Sequence, residues 1–381
     1  MSLSGRKILF VASNHTGFWG HALSLARDLH DQGCQIYVFA NVEKEGEKYA
    51  KEGFHLIRWR ARRASINPVL ESGALWQLVR VCRELRPDLI HALSLKQAIY
   101  GGIAGRLLGI PTLGGIIGLG YVFSASSFQA RALRRLLLVL LKLSQSGKAN
   151  FLTVENSEDL ELLVAAKAIP ADRVVLIRGA GVNTERYAPR PEPEGAPIVA
   201  LASRLLWYKG VGDFCSAAEI LRKEGVEARF VLIGDNDPQN PSSIPTEQLW
   251  NWHHSGIVEF WGHHDDMPET LAQTHIVCLP TFYREGIPKV LLEAAAAGRP
   301  IVTTNVPGCR DIVHHNENGL LVPVRNTAAL ATELKRLIID KQLRLAFGKR
   351  GRERAVSEFR SELVINETLG LYTQLLGSDP L

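Results

Sequence analysis

No two cysteines in this chain stand close enough in sequence to form a C-x-x-C pair. The five, Cys34, Cys82, Cys215, Cys278 and Cys309, are odd in number and widely spread, which excludes a disulfide framework and a Cys-rich zinc site from the reading. Long apolar runs are also missing, since no stretch reaches the roughly 20 apolar residues that a spanning helix requires. The opening MSLSGRKILFVAS has too short an apolar run for a secretory signal and passes directly into a strand pattern. These absences predict a reducing cytoplasmic setting. Excess charge is slight, +5 over 381 residues, which permits an anionic substrate or membrane surface and does not call for nucleic acid as a partner. No period in the range of about 20–50 residues marks a solenoid.

What is present is a globular composition, 46% hydrophobic and 22% charged, in a chain long enough for two cores. Short apolar runs of strand length alternate with helical patterns in both halves. The first half has KILFVAS (7–13), QIYVFA (35–40), HLIRWR (55–60) and DLIHALS (88–94). The second has PIVALAS (197–203), ARFVLIG (228–234), GIVEFWG (256–262), HIVCLP (275–280) and PIVTTN (300–305). Such alternation implies parallel sheets covered by helices. The proline- and charge-rich NTERYAPRPEPEGAP (183–197) reads as a linker between two doubly wound α/β domains, expected to face each other with strand-end loops around one cleft.

In ASRLLWYKGVGDF (202–214), Arg204 and Lys209 flank a strand-to-helix turn, with Gly210 and Gly212 allowing close backbone approach. Two cations and a helix N-terminus can neutralise a diphosphate; two solvated surface cations are the plainer alternative. In YREGIPKVLLEAAAAGRP (283–300), Pro288 suits a first helical turn, which leaves Glu285 in the loop and Gly286 and Ile287 with N–H groups free for a ligand. Glu293 falls within the helix. If the span were all helix, the carboxylates would lie about 12 Å apart along the axis and about 80° apart in direction. They cannot form a close catalytic pair, but they could hold the two ends of an elongated hydroxyl-rich ligand. They could equally be a helix-terminal charge and a salt-bridged core residue.

The ordered set SRLLWYKG, FVLIGD, VEFWGH, LPTFYREGIPKVLLEAAAAGRPIVTT and GCRDIVHHNENGLLVP resembles the retaining glycosyltransferases of family four, the glycosyl transferases group 1. RRASINP (62–68), SLKQAIYGGIAGRLLGIP (94–111) and GLGYVF (118–123) resemble the members that extend polyprenyl-diphosphate-linked sugars in bacterial surface glycans, including the N-acetylgalactosaminyltransferases of protein N-glycosylation. The resemblance implies a GT-B fold, with two facing Rossmann-like domains. These would be an acceptor-side domain over 1–185 and a nucleotide-sugar domain over 186–359, with the last helix (about 360–381) packing back on the first. It implies that Arg204 and Lys209 hold the donor diphosphate and that Glu285 meets the sugar hydroxyls as part of the catalytic set. Glu293 would take the ribose. Gly286, Ile287 and Lys289 would offer backbone N–H groups, and Gly262 and His263 would lie near the base. On the acceptor side it points to Asn14, Gly17 and Lys96, with an ordinary solvated lysine as the alternative for Lys96. Many members carry a histidine in the loop after the fifth strand, where TLGGIIGLGYVF (112–123) has none; Tyr121 or a backbone group could stand in.

No metal or resident cofactor is expected, because cations and a helix dipole do the work on a UDP-sugar that is itself a substrate. WGHHDDMPE (261–269) is rich in ligand types, but adjacent residues seldom converge on one ion, and a strand-end loop with a capping aspartate fits better. His91 can be a packed core histidine or a ligand. SFQARALRRLLLVLLKL (127–143) places Arg131, Arg134, Arg135 and Lys142 within an arc of about 100°, so the helix could lie on an anionic membrane, or its leucines could enter the core. The expected activity is transfer of an N-acetylhexosamine or hexose from a UDP-sugar to a polyprenyl-diphosphate-linked saccharide, by an enzyme peripheral on the cytoplasmic face of the inner membrane. The rivals are a UDP-sugar 2-epimerase of the same fold and a catalytically silent nucleotide-sugar- or glycolipid-binding partner.

Overall fold

The computed structural model of the protein describes residues 3–42, 45–60, 67–124, 127–147, 149–238 and 240–377, with the side chains of Tyr121 and Ser124 also outside the description. The chain divides into two units, Met1–Ala180 with Glu362–Leu381, and Gly181–Ser361.

In the first unit β1 (Lys7–Asn14) leads through α1 (His15–His21) and α2 (Leu23–Asp31) to β2 (Gln35–Asn41). Then come α3 (Gly46–Lys51), β3 (His55–Arg58), α4 (Pro68–Leu85), β4 (Leu89–Leu93), α5 (Leu95–Leu108) and β5 (Thr112–Ile116). The unit continues with α6 (Tyr121–Ser124), α7 (Phe128–Ser144), β6 (Asn150–Val154), α8 (Ser157–Ala165) and β7 (Val174–Leu176). The second unit holds β8 (Ile198–Ala202), α9 (Val211–Lys223), β9 (Arg229–Ile233), α10 (Thr246–His254), β10 (Glu259–Gly262), α11 (Met267–Ala272) and β11 (Ile276–Leu279). It ends with α12 (Lys289–Ala296), β12 (Ile301–Thr304), α13 (Cys309–Ile312), β13 (Gly319–Val322), α14 (Thr327–Ile339) and α15 (Lys341–Glu358). The last helix, α16 (Ser361–Gly377), packs on the first unit through Leu371, Tyr372 and Leu375.

Both sheets are parallel. Their orders are β3-β2-β1-β4-β5-β6-β7 and β10-β9-β8-β11-β12-β13. Strand order therefore reverses at β1/β4 and at β8/β11, the points outside whose carboxyl ends ligands bind in open α/β sheets. Alternate residues of β1 feed opposite cores. Leu9 and Val11 pack with Leu78 of α4, Ala98 of α5 and Leu141 of α7, whereas Ile8, Phe10 and Ala12 pack with α1, α2, α3 and α16. Burial on both faces explains why these strands read as unbroken apolar runs.

Several expectations are corrected. TLGGI, read as part of a glycine-rich loop, is β5, an interior strand of the sheet. A Cβ on Gly114 would lie 2.6 Å from Leu152 and 2.8 Å from Ala98, so glycine here lets α5 sit directly on the sheet. The stretch after β1 turns directly into α1, which starts at His15. The linker segment is strapped to the second unit. Arg344 and Glu192 form a buried bidentate pair at 2.9 and 3.1 Å, Arg299 donates to the Pro191 carbonyl, and Arg352 to the carbonyls of Thr184 and Tyr187. His91 lies in the core, where burial pushes its pKa down to about 3, and its Nδ1 meets the Tyr372 hydroxyl at 2.8 Å. It ties β4 to α16. Residues 62–66 of RRASINP lie outside the described residues; Asn67 caps α4 by accepting from the Val69 N–H at 3.0 Å.

Candidate active site

At the β8/β11 switch point, the loops that leave the two strands are joined through one carbonyl. The Phe282 N–H donates to the Tyr208 carbonyl at 3.1 Å. The Thr281 hydroxyl lies 3.0 Å from that carbonyl and 3.1 Å from the Glu285 carboxylate, and can give its one hydrogen to either. The rings of Tyr208 and Tyr283 stack with centroids 4.6 Å apart. On this platform Lys209 Nζ donates to Glu285 Oε1 at 2.6 Å, with the two side chains 16% and 12% exposed. A lysine has three N–H donors, so Lys209 can hold Glu285 and still meet an anion. Arg204, at the same strand end, donates to Asp237 at 2.9 Å and is part-exposed.

Glu285 is in the loop. Pro288 is not in the first helical turn but precedes it: its ψ of 116° is extended, and α12 begins at Lys289. Ile287 is buried, so only its backbone could face a ligand. The Gly286 carbonyl is pressed against Gly308, where a Cβ would lie 1.4 Å from it. Gly262 ends β10, and its carbonyl accepts the Gly234 N–H at 2.7 Å. His263 lies 3.9 Å from Asp235 and 3.3 Å from Asp265. His264 turns to Thr270 and Asp266 caps α11, so the ligand-rich WGHHDDMPE divides among separate partners.

Glu293 is buried at the fifth position of α12. Burial raises its carboxyl above the ordinary range, opposed by the Lys289 charge, a hydrogen bond from Tyr187 and the Arg186 charge. Lys289 Nζ stands 3.7 Å away, one turn earlier. The Tyr187 hydroxyl is raised in turn, by burial first and then by Glu293. Because the folded carboxyl binds its proton more tightly than the unfolded one, stability falls as pH rises from the ordinary carboxylate range through the raised value. Glu293→Gln should therefore flatten that dependence and add on the order of 1 kcal/mol near neutral pH, read as a higher melting temperature at pH 7 than at pH 4 relative to the parent. An unchanged pH profile would remove Glu293 from the argument.

The acceptor-side candidates lie in the first unit. Asn14 caps α1, its side chain accepting from the Gly17 N–H at 3.0 Å, so these two are joined. Lys96 donates to Glu71 at 2.6 Å and lies 5.9 Å from the Tyr100 ring centroid; the Tyr100 hydroxyl bonds the same carboxylate. The Tyr121 side chain lies outside the described residues. Four neighbours of the site escaped the sequence reading: Asp237, Thr281, Tyr187 and Gly308. Thr281, Tyr187 and Gly308 stood in segments already singled out, whereas Asp237 did not.

Two family models match, Glycosyl transferases group 1 over residues 196–340 and Glycosyl transferase 4-like domain over 16–180. The chain is 27% identical to the N,N'-diacetylbacillosaminyl-diphospho-undecaprenol alpha-1,3-N-acetylgalactosaminyltransferase of Campylobacter jejuni, over 97% of this chain and 99% of that one. It is 22% identical to the UDP-Gal:alpha-D-GlcNAc-diphosphoundecaprenol alpha-1,3-galactosyltransferase of Escherichia coli, over 82% of each. Its fold is shared with Anabaena HepE, solved in complex with UDP, at a TM-score of 0.77 and 16% identity, covering 97% of this chain and 100% of that one. Sucrose-phosphate synthase of Thermosynechococcus elongatus matches at a TM-score of 0.79 and 21% identity, covering 98% and 100%. The chain thus has the GT-B fold, and over residues 196–340 it matches the glycosyl transferases group 1.

Proposed function

We propose that this glycosyltransferase is a retaining enzyme that moves a sugar from a UDP-sugar to a hydroxyl of a polyprenyl-diphosphate-linked saccharide. The observation that carries the donor side is the Lys209–Glu285 pair, with Arg204 beside it, at a topological switch point. Arg204 and Lys209 hold the diphosphate, Glu285 accepts from sugar hydroxyls, and buried Glu293 accepts from the ribose diol, whose hydroxyls supply the donors such a carboxylate needs. Gly286, Ile287 and Lys289 contribute backbone N–H groups, and Gly262 and His263 lie toward the base. The first unit carries the acceptor, with Asn14, Gly17, Lys96 and Tyr121 as its candidates. The relatives named above act on diphospho-undecaprenol-linked sugars, and both of those acceptor sugars carry acetamido groups.

The bond from the anomeric carbon to the departing phosphate oxygen breaks while the acceptor oxygen bonds to the same face. The acceptor proton passes to the phosphate oxygen, and UDP leaves. Glu285 is engaged by Lys209, which suits a hydroxyl-holding role better than a covalent one.

A lipid-linked acceptor puts the enzyme at a bilayer. Among the described residues no helix is long and apolar enough to span one, but eight of the thirteen exposed large hydrophobic side chains lie on α4, α5 and α7. On α7, Phe128, Leu136, Val139 and Leu143 are exposed beside exposed Arg131, Arg135 and Lys142. Arg134 is not part of that basic face, because it donates to the carbonyls of Val122 and Phe123. Apolar side chains flanked by cations suit an anionic bilayer surface.

Incubation with UDP-sugars and a polyprenyl-diphosphate saccharide in anionic vesicles tests the whole reading. Free UDP, an extended lipid and a retained anomeric configuration are expected, with vesicle binding weakened in Leu136→Ser/Val139→Ser. An inverted product rejects the retaining step. UDP-sugar isomerised without acceptor favours an epimerase, and binding without turnover a silent partner.

A further inference from the structure

An acid beside a site for an anion works against it, so a carboxylate next to Arg204 needs a physical reason. Asp237 stands in the segment between β9 and α10, with Oδ2 2.9 Å from Arg204 Nη1 and its side chain 28% exposed. That segment lies along the loop that leaves β8. The Leu205 N–H donates to the Asp235 carbonyl at 2.9 Å, the Trp207 N–H to that of Ser242 at 2.8 Å, and the Ile244 N–H to that of Leu205 at 3.0 Å. Leu206 and Ser243 form an antiparallel bridge between the two loops. A tight turn fixes the acid itself. The Asp237 N–H donates to the Ser243 hydroxyl at 3.0 Å, and the Asp237 carbonyl accepts the Asn240 N–H at 2.8 Å. Asp237 and Arg204 are thus mounted on one scaffold.

We infer that Asp237 is a positioning residue, which holds the Arg204 guanidinium ready for the donor diphosphate. The inference deepens the donor role proposed for Arg204 and rests on it. A guanidinium carries five N–H donors; the bond to Asp237 uses one and leaves four for phosphate oxygens. An arginine side chain 36% exposed and held by nothing would have to be ordered when the ligand arrives, which costs affinity. Where charge builds on the departing phosphate, a misplaced cation also costs rate. The negative charge of Asp237 is thus a burden to the site, and the fixed acceptor is what the site gains. The two contributions separate chemically. Asparagine keeps an oxygen that can accept the same hydrogen and drops the charge, whereas alanine drops both.

The test is the affinity of the full chain for UDP, measured by titration calorimetry in the parent, Asp237→Asn and Asp237→Ala. Each is also measured in combination with Arg204→Ala, with folding checked by circular dichroism. Asp237→Asn should bind UDP as tightly as the parent or several-fold tighter, since an opposing charge is gone. Asp237→Ala should bind roughly fivefold to tenfold more weakly than Asp237→Asn. Combined with Arg204→Ala, the two should become equal, because the acceptor acts only through the guanidinium. Equal affinity of Asp237→Asn and Asp237→Ala with Arg204 in place would leave charge as the whole effect and overturn the inference. So would a difference that persists alongside Arg204→Ala, which would mark a general change in the loop. Failure of the donor reading looks different: Arg204→Ala alone would bind UDP as the parent does. A parent chain that does not bind UDP would overturn both.

Discussion

Lys209→Met should lower turnover by a factor of about 10²–10³, and the loss should persist after stability has been repaired. Two effects of this substitution must be separated. Lys209 is the cation proposed to stabilise charge on the departing diphosphate, and it is also the partner of a carboxylate that is only 12% exposed. Removing it leaves Glu285 without its counter-charge, and unpaired buried charges destabilise strongly. Because this pair keeps some solvent contact, a cost of about 1–3 kcal/mol is expected. Lys209→Met/Glu285→Gln removes both charges together, leaving the neutral amide near the Thr281 hydroxyl. Its urea midpoint should return most of the way to the parent value while kcat stays low. If kcat recovered with the midpoint, Lys209 would be a structural cation and the diphosphate role would pass to Arg204. Arg204→Ala is the simpler case, since its partner Asp237 is more exposed. It should lose turnover with little change in stability.

The legible parts of this chain are those in which one residue type announces one environment. Strands such as β1 and β8 are buried on both faces, so they appear as continuous apolar runs, and their order implied parallel sheets before any contact was known. Arg204, Lys209, Glu285 and Glu293 stood out because charge is conspicuous beside apolar strands and helices. Strand β5 was hidden by the opposite logic. Its glycines signal a loop by propensity, yet Gly114 is required because α5 sits against the sheet there. Tyr187 was hidden inside a segment that composition marks as a linker. Its pairing with Glu293 depends on three arginines, Arg299, Arg344 and Arg352, that fasten the segment from distant positions.

Gly308→Ala should abolish measurable transfer, although the residue carries no functional group. Gly308 has φ of 78° and ψ of −44°, its N–H donates to Asp311 at 3.0 Å, and it is the N-cap residue of α13. A Cβ there would lie 1.4 Å from the Gly286 carbonyl oxygen and 3.2 Å from that of Glu285. Backbone atoms cannot yield as a long side chain can, so the peptide that carries Glu285 must shift or the start of α13 must open. A displacement of about 1 Å in a reacting constellation can cost about 10²-fold, and here it would also strain the Lys209 pair. Gly195→Ala provides the control, because Gly195 has φ of 97° but meets nothing within 4 Å of an added Cβ. It should cost about 1–3 kcal/mol of stability through backbone strain alone and leave kcat close to that of the parent. Comparing the two by urea unfolding and by UDP release assigns the Gly308 effect to the collision rather than to the dihedral. Equal, small losses of activity in both would mean that the Glu285 loop accommodates the methyl, and that its position at the β11 end is less fixed than the Gly286–Gly308 contact implies.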